Sequence, residues 1–224
     1  MNFRNRWCSV VIGAAIIGGC TAPREPVGSR ESQPPAAGTT LVLRDLAGPD
    51  KPLPVERVRP DLEPLFADCH ALGALVVYDR NANQITRYNP RRCAERFIPA
   101  STFKIFNSLV ALETGVIADD TTILKWDGVK RSLEVWNQDQ DMRQAFRHST
   151  VWFYQELARR IGEPRMREYV QREGYGNRDI GGGIDTFWLT GQLRISADEQ
   201  IALLARLHRR DMAFSSRSMD MVMN

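Results

Sequence analysis

Hydrophobic and polar positions divide this chain of 224 residues into stretches of different character. Val10 to Ile17 is a short apolar run behind Arg4 and Arg6, too short to span a bilayer as a stable helix. Residues 21 to 60 show no sustained period and carry eight prolines, which predicts a flexible tether of polyproline II character. Within it, Leu41-Val42-Leu43 either forms a short strand or stays loose. From Gly73 the pattern turns strand-like: the β-rich run Ala74 to Tyr78, the polar turn Asp79 to Asn83, and a return strand from Gln84 to Tyr88.

The period then changes to that of helices. One helix is predicted from Thr102 to about Thr114, stopping at Gly115. Asp139 to His148 is weakly helical. Val151 to Arg160 places Val151, Tyr154, Leu157, Ala158 and Ile161 on one face and stops at Gly162. Pro164 begins a further helix that ends at Gly174. Ser196 and Glu199 form a capping box for a last helix, Ala197 to about Arg210. Between these two helices, residues 174 to 195 form a long Gly-rich loop with two buried-looking aromatics, Phe187 and Trp188. A hairpin followed by many helices, without internal repeats, predicts an α+β fold.

Composition is ordinary for a globular protein, and the net charge of +3 is too balanced to argue for a nucleic-acid partner. The leader pattern predicts an exported, periplasmic chain with a signal peptide over residues 1–19. Ile17-Gly18-Gly19-Cys20 reads as a lipoprotein cleavage box, with Cys20 lipidated and holding the chain at a membrane surface. The alternative is an ordinary signal peptide cleaved nearby. In an oxidising compartment Cys69 and Cys93, which flank the predicted hairpin, either form a disulfide or act as two buried small hydrophobes. No His/Cys cluster has metal-ligand spacing, and His70, His148 and His208 are scattered.

Chemistry is concentrated at Ser101-Thr102-Phe103-Lys104, which follows Pro99-Ala100 and opens the first helix. Serine and lysine three residues apart share a helix face, and an amine beside a hydroxyl is one way to activate a weak nucleophile. With so few lysines in the chain, Ser-x-x-Lys is expected by chance roughly 0.2 times. A Ser N-cap followed by a surface lysine is the plain alternative.

Three further patterns stand downstream: Ser149-Thr150-Val151 at a helix start, Tyr175-Gly176-Asn177 after a helix, and Phe187-Trp188-Leu189-Thr190-Gly191 at the end of the long loop. With Tyr88-Asn89-Pro90 and Phe106-Asn107-Ser108-Leu109, the set closely resembles the class D, oxacillinase-type serine β-lactamases, from about residue 66 to 217. The resemblance implies a penicillin-binding transpeptidase-like fold, in which an antiparallel sheet is flanked by helices beside a helical subdomain. It implies hydrolysis of β-lactam antibiotics through an acyl-enzyme on Ser101. Lys104 would be the general base once CO2 has carboxylated its amine, with Trp188 stabilising the carbamate and no other cofactor. Ser149 would be the proton relay, alongside its N-cap role. Phe103, Val151 and Leu189 would line a dry pocket, and Tyr175, Gly176 and Asn177 would be chiefly structural. Trp188 as plain core is the alternative to its carbamate role.

The family also carries a later Lys-Thr-Gly or Lys-Ser-Gly motif, yet no such tripeptide occurs here and no lysine follows Lys130. The expectation is a C-terminally truncated member over residues 61–224, after a lipidated, Pro-rich tether over 20–60, with C-terminal strands missing. The missing wall would include the cation facing the β-lactam carboxylate and a second oxyanion N–H, one such donor typically contributing on the order of 10²–10³ in rate. A β-lactam sensor or penicillin-binding domain acylated without turnover, and a non-catalytic fragment, remain as alternatives.

Overall fold

A computed structural model describes residues 37–224. The Cys20 lipidation box and the signal peptide lie outside the described residues. The chain forms two compact units, one of residues up to Glu95 together with Ser196–Ala205, the other of Arg96–Ile195 with Arg206–Asn224.

The first unit begins where a tether was expected. Ala37–Ala47 is a helix (α1), not a loose or strand-like segment. Residues 36–48 form the Pro-free window between Pro35 and Pro49, and Gly48 ends the helix at φ 85°. Leu43 and Leu46, three apart on one face, are buried with Val76, Ile85, Cys93, Ala202 and Ala205. Val55–Val58 (β1) then runs parallel to the return strand of the hairpin. The hairpin itself is as expected: Leu75–Asp79 (β2) pairs antiparallel with Gln84–Tyr88 (β3), giving the order β1-β3-β2. Asp79 closes its turn by accepting the backbone N–H groups of Asn81 and Ala82. Glu63–Asp68 (α2) and Pro90–Ala94 (α3) flank the hairpin.

Arg87 on β3 is fully buried, donating to Asp198 at 2.8 Å and to Glu56 at 2.7 Å, so its charge is compensated. The two cysteines are free and do not form the disulfide considered from the sequence. Cys93 is buried and its thiol donates to the Tyr88 and Leu75 carbonyls, while Cys69 is exposed at the end of α2. Burial pushes the Cys93 thiol up to about 12, so it behaves as the small hydrophobe of the alternative reading; exposed Cys69 does not.

The second unit is helical. Phe103–Glu113 (α4) is apolar nearly all round and almost wholly buried. Met142–Arg147 (α5) carries an Asp141/Gln144 capping box. Val151–Ile161 (α6) buries Tyr154, Leu157, Ala158 and Ile161 as expected, with Trp152 and Phe153 in addition. Gly162, at φ 79°, separates it from Glu163–Glu173 (α7). Arg96–Phe97 (β4) pairs with a second two-residue strand at Ile195 (β5, Ile195–Ser196). In the first unit, Ser196 and Glu199 make the expected reciprocal cap at the start of Ala197–Arg209 (α8), whose residues through Ala205 belong to that unit. A last helix, Ser216–Met223 (α9), was not expected from the sequence; Ser215 caps it by accepting the Ser218 N–H, and Glu113 accepts the Ser215 N–H and the hydroxyls of Ser215 and Ser218.

Candidate active site

Ser101 stands in a single 3-10 turn, Ala100–Thr102, that leads directly into α4. Its side chain is exposed, whereas Lys104, one turn on, is only 2% exposed. Two groups converge on the Ser101 oxygen. Lys104 Nζ donates to it at 2.8 Å, and the Ser149 hydroxyl donates to it at 2.9 Å. Three residues spread over 48 positions of sequence therefore meet at one atom; the spacing predicted the Ser101–Lys104 pair, and the family resemblance implied Ser149 beside it.

The lysine environment is dry for identifiable reasons. Phe103 is fully buried and stacks on Trp188, with centroids 5.3 Å apart and planes at 27°. Phe187 and Tyr175 meet the same ring edge-on at 5.1 and 5.3 Å. Val151 and Leu189 are half-buried. The Tyr154 ring lies 5.6 Å from Lys104 Nζ. Among the described residues no anion is paired with the amine, and burial lowers its pKa from 10.5 to about 8.

The backbone just before Ser101 and at Ser149 is held in an uncommon conformation. Ala100 has φ 46° and Ser149 φ 53°, left-handed values that residues with a Cβ adopt at a cost on the order of 1–3 kcal/mol. At Ala100 the strain is held by its N–H, which donates to the Trp188 carbonyl at 3.0 Å. That bond also ties the Ser101 turn to the Phe187-Trp188 segment. The N-cap position of α6 belongs to Thr150, which makes no side-chain cap, so the capping role expected of Ser149 is not present. The Ser149 hydroxyl is committed to Ser101 instead.

Residues 73–214 match the penicillin binding protein transpeptidase domain. The chain is 43% identical over 157 residues to β-lactamase OXA-48 of Klebsiella pneumoniae, covering 70% of this chain and 59% of that protein. It is 41% identical over 150 residues to the probable β-lactamase YbxI of Bacillus subtilis, at 67% and 56% coverage. Among solved structures, a class D β-lactamase from Nostoc is 52% identical with a TM-score of 0.69, over 72% of this chain and 68% of that one. FUS-1 from Fusobacterium nucleatum, also class D, gives 39% identity and a TM-score of 0.71 over 74% and 69%. The chain belongs to the class D β-lactamases. Its fold is the family's α+β, transpeptidase-like one, and it spans a little over half the length of these curated relatives.

Within this class D domain, Tyr175-Gly176-Asn177 is a brace. Tyr175 is buried against Phe103 and Phe106. Asn177 exchanges bonds with the far end of the loop: its N–H donates to Arg194 O, its Oδ1 accepts from Arg194 N, and its Nδ2 donates to Gln192 O. Gly176, at φ 52°, lies so close to Arg194 that an added Cβ would meet its carbonyl oxygen at 1.9 Å.

Sequence reasoning missed three contributors around the lysine. Tyr154 was placed on the buried face of α6 but not beside Lys104. Asn107 Nδ2 donates to the Tyr154 carbonyl at 3.0 Å, and the Ser108 and Tyr154 hydroxyls are 3.1 Å apart, which fixes α4 against α6. Their signal was available: two polar residues inside an otherwise apolar helix need buried partners.

Proposed function

We propose that this chain opens β-lactam rings by acylation of Ser101 and releases the product by hydrolysis. One observation carries the reading: Ser101 Oγ lies within hydrogen-bond reach of both a buried lysine amine and a second serine hydroxyl. With a pKa of about 8, roughly one Lys104 side chain in ten is neutral at pH 7. In that form Nζ takes the Ser101 proton as Oγ attacks the lactam carbonyl carbon. The C–N bond breaks as Ser149 gives its proton to the departing nitrogen and takes the one that Lys104 had accepted, which restores the hydroxyl and the neutral amine. The Ser101 N–H belongs to a first helical turn, where no i−4 acceptor competes for it, and it serves as an oxyanion donor. Water then attacks the ester carbonyl and restores the serine.

Carboxylation of Lys104 by CO2 belongs to the same reading. It requires an uncharged amine in a dry site, and the burial of Nζ and its lowered pKa fit that need. Trp188 is the residue proposed to hold the carbamate, which when present supplies an anionic oxygen as general base. Export and anchoring through Cys20 rest on the sequence pattern of residues 1–20 alone.

The purified protein is expected to hydrolyse a chromogenic cephalosporin, and Ser101→Ala to reduce the rate to background. Absence of turnover in the wild type, or turnover that survives in Ser101→Ala, would contradict the proposal.

A further inference from the structure

Ser149 poses a geometric problem that its own side chain does not solve. It sits in a left-handed conformation, φ 53°, between α5 and α6, and has no capping bond to hold it. What fixes the peptide before it is a pair of tryptophans. Trp136 Nε1 donates to the His148 carbonyl at 2.9 Å, and Trp152 Nε1, on α6, donates to the Trp136 carbonyl at 2.7 Å. The two bonds are reciprocal in sense. The first side chain holds the backbone just before Ser149, and a side chain just after Ser149 holds the backbone of the first. The remaining peptide groups of the turn are tied to α5, with Ser149 N donating to Phe146 O at 3.1 Å and Thr150 N to Ala145 O at 2.8 Å. Trp152 is 3% exposed and the Arg131 guanidinium lies 5.8 Å from its ring, so the clasp is itself packed in place.

Resting on the acylation reading above, we propose that Trp136 is a positioning residue whose indole N–H, backed by Trp152, holds Ser149 with its hydroxyl on Ser101. Neither indole need touch the substrate. The N–H aims the proton relay, and losing it frees the His148 peptide to rotate. The left-handed turn can then relax and withdraw the Ser149 hydroxyl.

Acylation by a fluorescent penicillin under single-turnover conditions tests this, with Trp136→Phe, Trp136→His and Ser149→Ala compared. Trp136→Phe keeps an aromatic ring and removes the donor. In Trp136→His the ring Nε2, two bonds from Cγ as in tryptophan, can replace it. The expected result for Trp136→Phe is a roughly tenfold lower acylation rate at saturating penicillin, the size of one lost hydrogen bond, with an unchanged half-saturation concentration. Trp136→His should recover part of the rate, and Trp136→Phe should have no further effect in a Ser149→Ala background. A Trp136→Phe rate equal to wild type, a loss equal in Trp136→His, or a loss that adds fully to that of Ser149→Ala overturns the clasp. Should the wild type fail to be acylated at all, the reading of the function fails separately. The clasp is then decided by hydrogen exchange of the Trp136 indole N–H: slow exchange supports it and exchange at the free-indole rate overturns it.

Discussion

At Lys104 the fold accepts the cost of burying an amine. The helix around it is apolar, the side chain is buried with the Tyr154 ring 5.6 Å from Nζ, and among the described residues no carboxylate pairs with the charge. A folded-state pKa near 8 lies below the 10.5 of an exposed lysine, so folding disfavours the proton. Below pH 8 both states carry it and the penalty is full. Between pH 8 and 10.5 the unfolded chain binds more protons, so stability rises with pH, and above 10.5 the penalty is gone. Replacing the amine with an apolar side chain of similar length removes that cost. In CO2-free buffer, Lys104→Met is expected to raise the unfolding free energy at pH 7 by up to about 3 kcal/mol while abolishing acylation. Urea unfolding at pH 7 and pH 10 checks this, and the gain should shrink at the higher pH. A variant less stable than wild type at pH 7 would mean that the amine is not strained by burial. The pairing of Ser101 with Lys104 was legible because both lie within one helical turn. The Ser149 bond was legible only as part of a spaced set of motifs. Its left-handed backbone and the two indoles were not, because nothing local in Trp136 or Trp152 marks which carbonyl each will meet.

Among the elements, most of those with a local cause could be read and those with a distant one could not. The β2–β3 hairpin, α6, α7 and the capped start of α8 all announce themselves by period, glycine stops or a capping box. Helix α1 was obscured by averaging: eight prolines colour residues 21–60, yet the Pro-free window is long enough for three turns, and its Leu43 and Leu46 find a core far along the chain. Strand β1 has all four residues exposed and no alternation to betray it; only its parallel pairing with β3 makes it a strand. Helix α9 has a local N-cap, Ser215 accepting the Ser218 N–H, which the sequence reading passed over, and Glu113, about a hundred residues away, reinforces it. Burial alone would raise the pKa of that carboxyl, but the bonds from Ser218 and Ser215 outweigh it and hold the value below the ordinary range. The loop brace gives the sharpest test at this scale. Gly176→Ala combines a left-handed φ with a Cβ inside the radius of the Arg194 carbonyl, so it should destabilise the domain by on the order of 3 kcal/mol or more and slow acylation by loosening Tyr175 from Phe103. A thermal scan with an unchanged midpoint would show that the brace contributes little.

For the molecule as a whole, family membership rests on the match of the 142-residue span 73–214 to the transpeptidase domain and on the likeness to solved class D structures, and the short motifs fall within that span. The site occupies the second unit alone: Ser101, Lys104, Ser149, Trp188 and the Tyr175-Gly176-Asn177 brace all lie between Arg96 and Ile195. The first unit carries its own core, closed by the Arg87 ion pairs on β3. A nucleophile assembled within one unit should react whether or not turnover is fast, so formation of the covalent intermediate is a more direct test than hydrolysis. Mass spectrometry of the protein mixed with a penicillin and quenched within seconds, followed by peptide mapping, gives that test. One acyl group on the peptide bearing Ser101, absent in both Ser101→Ala and Lys104→Met, is the predicted result. An adduct on another residue, or one that forms as fast without the Lys104 amine, would contradict the claim that this buried lysine activates this serine.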